Sequence, residues 1–74
     1  MNDKDPQICL KSLGREVRMH RQKQGLSQAK LALMINSGQS YIYRIESGKI
    51  NLGIDKLIRL ANALGIDVAD LIKF

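Results

Sequence analysis

The sequence predicts an all-α domain of five short helices, and three observations carry that expectation. Apolar residues recur at spacings of three and four, and no stretch alternates with the period of a strand. Glycine or an N-capping residue stands at the breaks between the periodic segments. The only proline, Pro6, precedes all of them. With 74 residues there is room for one domain. A domain of that size buries only about 60% of the surface its unfolded chain exposes, so its stability is marginal.

Residues 1–7, "MNDKDPQ", read as a frayed end, and residues 8–74 as the single domain. Leu10, Leu13, Val17 and Arg21 place helix one from about Ile8 to Gln24, with Gly25 just past its end. Ser27 can accept a bond from a free backbone N–H and so caps helix two, from about Gln28 to Met34, with Leu31, Ala32 and Ile35 inward. Helix three runs from about Gln39 to Glu46, with Ile42 and Ile45 inward and Gly48 ending it. After the loop "KINLGI" comes helix four, from about Ile54 to Leu64, whose inward stripe is Leu57, Ala61 and Leu64. Gly65 ends it, and Asp67 caps a helix five with Val68, Leu71 and Ile72 inward.

Composition narrows the function. There is no Trp and one Phe, so the core is aliphatic. Cys9 is the only cysteine, which rules out an intrachain disulfide and suits a reducing compartment; between Ile8 and Leu10 it reads as a small apolar residue. No signal-peptide pattern and no run of about 20 apolar residues is present, so a cytoplasmic protein is expected. His20 is the only histidine and lies eleven residues from Cys9. That leaves no metal site, no Cys–His nucleophile and no catalytic constellation; no cofactor, small-molecule ligand or enzymatic activity is expected. The net charge is +5, and from Lys11 to Lys49 eight cations face only Glu16 and Glu46. From Ile50 onward three cations balance three acids. A basic half beside a neutral half fits a polyanion-binding surface next to a packing or association surface.

Helices two and three are each too short to stand alone in water. The break between them is about four residues long and centred on Asn36, a residue that tolerates the left-handed conformation, so they must meet at a steep angle. Ala32 permits their close approach. This is a helix-turn-helix that presents helix three outward. "LGREVRMHRQKQGLSQAKLALMINSGQSYIYRIESGK" resembles the helix-turn-helix of the phage Cro/repressor family, and within it the controller proteins of restriction–modification systems. The matching elements are Arg21, Gly25-Leu26-Ser27-Gln28, Leu31-Ala32, Ile42 and Ile45-Glu46-Ser47-Gly48, and "LIRLANALGIDVADLI" resembles the segment that follows in the family. The resemblance spans Leu13 to Ile72 and implies a compact lambda-repressor-like DNA-binding domain. Three positions depart from it: Asn36 replaces the usual turn glycine, Gly38 the usual Ser or Thr cap of helix three, and Lys30 the Glu that completes a capping box with Ser27. Each costs tenths of a kcal/mol, up to about 1.

A helix in the major groove reads base edges with side chains near its N-terminus. Here these are Gln39, Ser40, Tyr43 and Arg44; Gln suits adenine and Arg guanine. The family match points to the same positions. For the DNA backbone the expected residues are Gln28, which in the family bonds a phosphate and braces the recognition helix, then Lys30, Lys49 and Asn51. Tyr41 joins them by the resemblance, although its neighbours Ile42 and Ile45 also make it a packing residue. Arg21 and Glu46 fall on otherwise apolar faces, and the family implies a buried ion pair between them. One helix three reads only about four or five base pairs, so a two-fold dimer on a pseudo-palindrome is expected, its readers about 34 Å apart. Leu52, Ile54, Ile58, Ile66, Ile72 and Phe74 are the apolar residues left over to form its interface. The rival reading is an antitoxin that neutralises a toxin protein and autoregulates its operon; the ten residues past Leu64 leave little for a toxin-wrapping segment.

Overall fold

Helix formation begins at Asp5, whose carboxylate accepts the backbone N–H of Gln7 at 2.9 Å, with Pro6 at the first helical position. Proline suits that position, because its fixed φ is helical and its missing N–H would find no intrahelical acceptor. In this computed structural model, which describes residues 3–74, helix α1 therefore spans Pro6–Lys23. It starts two residues before the apolar periodicity does, so Pro6 and Gln7 are helical rather than frayed. Met1 and Asn2, also assigned to a frayed end, lie outside the described residues.

Helices α2 (Gln28–Met34), α3 (Gln39–Glu46) and α4 (Ile54–Leu64) have the bounds the sequence suggested. Ser27 Oγ accepts the Lys30 N–H at 3.0 Å and starts α2. Asn36 takes φ 57°, the left-handed turn that separates α2 from α3. Gly38 caps α3 without a side-chain bond. The core joins Leu13 and Val17 of α1, Leu31 and Ala32 of α2, Ile42 and Ile45 of α3, and Leu60, Ala61 and Leu64 of α4, closed by Ile35 and Leu71.

Two glycines set how closely α1 and α3 pack. A Cβ on Gly14 would sit 2.5 Å from the Ile45 carbonyl oxygen and 2.6 Å from that of Glu46, so only glycine lets α1 cross the end of α3 here. Gly48 takes φ +70° and abuts Lys11, whose Cγ would lie 2.8 Å from an added Cβ.

The chain differs from the expected five helices at its end. Among the described residues there are four α-helices, and the fifth segment is a single 3-10 turn, Val68–Asp70. The Asp67 side chain accepts an N–H from Asp70, and the Asp70 carboxylate accepts the Asp67 N–H at 3.0 Å. This reciprocal box closes one turn, but a longer helix needs a buried face to offset its nucleation cost. Leu71 alone is buried; Val68 is half-buried, and Ile72 is exposed rather than inward. In α4 the fully buried leucine between Ala61 and the helix start is Leu60, whereas Leu57 is half-buried at the edge of the stripe. No helix among the described residues is long and apolar enough to cross a membrane.

Candidate nucleic-acid interface

The outer face of α3 carries Ser40, Tyr43 and Arg44, all exposed, with Tyr43 at 54%. Ile42 and Ile45 hold the opposite face in the core, so the rigid body fixes what α3 displays. Gln39 opens the helix and is exposed too.

Behind this face lies a chain of hydrogen bonds that begins at a buried charge. Arg21 is 8% exposed. Its Nε donates to Glu46 Oε2 at 2.6 Å, its Nη2 to Glu46 Oε1 at 3.0 Å, and its Nη1 to the Leu26 carbonyl at 2.8 Å. The Glu46 carboxylate raises the guanidinium pKa above its already high value, chiefly through that hydrogen bond and against desolvation. Gln28 Nε2 donates to Glu46 Oε1 at 3.1 Å, and Gln39 Nε2 donates to Gln28 Oε1 at 3.2 Å. The order follows from chemistry. A carboxylate can only accept, so Gln28 must turn its NH₂ toward Glu46; its oxygen then faces Gln39, which must donate. That bond uses one N–H of the exposed Gln39 amide; its other N–H and its oxygen are the donor and acceptor types that adenine's N7 and N6–H₂ require.

The remaining site residues take separate places. Lys30 is exposed on α2, and Lys49 and Asn51 follow α3 as exposed residues. Asn51 also lines, with Leu52, an apolar groove of about 210 Å³ between the start of α1 and residues 72–74. Tyr41 is half-buried against the core, and Lys56 Nζ lies 6.0 Å from the centre of its ring. Burial, then the nearby Asp55 charge, pushes its phenol pKa up. Of the apolar residues assigned to an interface, Ile54, Ile58, Ile72 and Phe74 are exposed, Ile54 at 66%. Leu52 and Ile66 instead pack half-buried against the core.

The resemblance implies that Gln28 braces the recognition helix but not which residue it meets: the Gln28–Gln39 bond joins residues eleven apart and has no local signature. Two further contributors are absent from the sequence reading. Lys56 over Tyr41 depends on how α4 docks against α3, which spacing does not reveal. Gly14 did carry a signal, since a glycine inside a helix costs about 0.5–1 kcal/mol against alanine and implies a packing reason.

The comparisons with known proteins agree with this geometry. A family model described as helix-turn-helix matches residues 17–71. The control protein C.BamHI of Bacillus amyloliquefaciens is 37% identical over 62 residues, 82% of this chain and 76% of that protein. The crystal structure of the restriction–modification controller protein C.AhdI from Aeromonas hydrophila superposes with a TM-score of 0.86 at 32% identity, covering 92% of this chain and 99% of that one. A hypothetical transcription factor, NHTF from Neisseria, superposes with a TM-score of 0.84 at 25% identity, covering 97% and 83%. The chain belongs to the Cro/repressor-type helix-turn-helix family and is similar to restriction–modification controller proteins.

Proposed function

We propose that this protein is a sequence-specific DNA-binding transcription regulator of the controller or repressor type, acting in the cytoplasm as a homodimer on a pseudo-palindromic operator. The observation that supports the reading is the hydrogen-bond chain from Arg21 to Gln39, which ties one N–H of the exposed Gln39 amide to Gln28 and leaves its other N–H and its oxygen for a base edge. Gln39 reads adenine, Arg44 reads guanine, and Ser40 and Tyr43 complete the base contacts. Lys30, Lys49, Asn51 and Tyr41 meet the backbone around them. Gln28 braces Gln39 through its side chain and offers the free N–H groups at the start of α2 to a phosphate. The similarity to two named control proteins supports the controller context.

The dimer rests on the exposed Ile54, Ile58, Ile72 and Phe74, which share the charge-balanced end of the chain with the apolar groove. A face of that kind repels its own copy less than the basic face does. Selection of bound fragments from random DNA tests the whole reading: two inverted half-sites, one helical turn apart and containing adenine and guanine, are expected. Recovery of no common sequence would overturn it. Sedimentation at micromolar concentration tests the dimer, which a strict monomer with one protein per site would refute.

A further inference from the structure

The exposed side of α1 carries a charge pattern that recognition by α3 does not use. Lys11, Arg15, Arg18 and Gln22 are spaced by four, three and four residues, all are exposed, and they share one helix face. Among the described residues none of Lys11, Arg15, Arg18 and Lys23 has an ion-pair partner; the one acid of α1, Glu16, is half-buried and turned to His20 at 3.8 Å. Arg15, Arg18, Met19, Gln22 and Lys23 line a shallow concavity of about 600 Å³.

The position of this stripe says which polyanion it suits. Lys11 abuts Gly48, the residue before Lys49, and Gly14 lies on the last carbonyls of α3. The stripe therefore starts where the recognition helix ends and continues the cationic surface of Lys49 along α1. From residue 11 to residue 22 it runs about 16 Å, at 1.5 Å per residue. One DNA strand places a phosphate about every 3.4 Å of axis, so the track lies alongside about five phosphates. Apart from Met19 every side chain lining the concavity ends in a cationic or amide group on an aliphatic stem, which fits a phosphate backbone better than the charge-depleted core of a protein–protein interface.

We infer that the Lys11–Arg15–Arg18–Gln22 face is a second, sequence-neutral DNA surface that grips the duplex flanking the bases read by α3. The inference rests on the DNA-binding reading above and extends the bound length beyond the base contacts.

The test uses the full chain and two duplexes: a selected operator trimmed to its base-contacted core, and the same core with ten arbitrary base pairs on each side. The double variant Arg15→Gln, Arg18→Gln removes two exposed charges that make no internal bond, and circular dichroism checks that its fold is intact. Wild type is expected to bind the longer duplex more tightly, and the variant to lose that gain while keeping its preference among cores. Between 50 and 200 mM salt, wild-type affinity for the longer duplex should fall about tenfold more per protomer than that of the variant, the effect of two phosphate contacts. A variant that keeps the gain from flanks, or that loses equally on both duplexes, overturns the inference while leaving the regulator reading in place. So does a variant unaffected on either duplex, the result expected if the stripe serves an acidic protein. A wild type with no preference for the selected core over scrambled DNA overturns the regulator reading itself and this surface with it.

Discussion

Replacing Glu46 by alanine should unfold the protein at a much lower temperature. The substitution removes two short bonds to Arg21, at 2.6 and 3.0 Å, and leaves a guanidinium that is 8% exposed with only the Leu26 carbonyl as partner. Removing one partner of a buried pair costs about 3–5 kcal/mol, because the stranded charge keeps its desolvation penalty and loses its compensation. Domains of this size hold only about 5–15 kcal/mol in total, and 1 kcal/mol moves the midpoint by about 4–8 °C. The expected drop is therefore on the order of 12–40 °C, read by circular dichroism at 222 nm. Replacing both partners, as Arg21→Met with Glu46→Leu, should recover most of the loss, since an apolar pair carries no charge to desolvate. A drop below about 5 °C for Glu46→Ala, or a double variant no better than the single one, would refute the reasoning.

Four further outcomes can be checked. Gln39→Ala or Arg44→Ala should cost about 1–3 kcal/mol on the selected operator and little on random DNA, with nearly unchanged melting; equal losses on both would remove the base-reading role. Lys49→Ala should weaken all sequences alike and flatten the salt dependence by about one unit, measured by anisotropy across a salt series. Gly14→Ala should destabilise by about 1–3 kcal/mol in a urea titration, because its Cβ would meet the Ile45 carbonyl at 2.5 Å. Tyr41 has its phenol pKa raised by burial and by Asp55, so the folded state favours the neutral form. Its contribution is intact below about pH 10 and is lost as pH rises through the higher folded value, which melting curves between pH 9 and 11 should show and Tyr41→Phe should abolish.

Four of the six ends of α2, α3 and α4 are legible from their own chemistry: Ser27 as a cap, Asn36 in the left-handed turn, Gly48 and Gly65 as stops; the starts at Gly38 and Gly53 carry no side-chain cap bond and follow from the apolar period. The start of α1 was misplaced because the apolar period begins after the cap, at Ile8, while Asp5 and Pro6 fix the helix earlier. The fifth helix was overestimated for the opposite reason. A capping residue and a few apolar side chains predict a start, but only tertiary burial decides how far a helix extends, and Leu71 is the one side chain there that the core takes in. The same limit applies to Leu60 against Leu57: both lie on the apolar stripe, and the docking angle of α4 chose between them.

The site residues divide along the same line. Arg44 and Lys49, proposed to act singly, are nominated by residue type and helix position alone, and the structure adds that both are exposed. Those that act through one another need the fold. Glu46 has two assignments at once: it neutralises Arg21, and its acceptor-only carboxylate fixes the amide of Gln28 and through it that of Gln39. One carboxylate thus links the buried ion pair to the amide of Gln39, and under the proposed function it couples stability to base reading. A protein that keeps its fold with an apolar pair in place of Arg21 and Glu46 should still lose the orientation of Gln39. The rescued double variant is therefore expected to melt near wild type yet discriminate adenine less well at the Gln39 position, a separation that a purely structural ion pair would not produce.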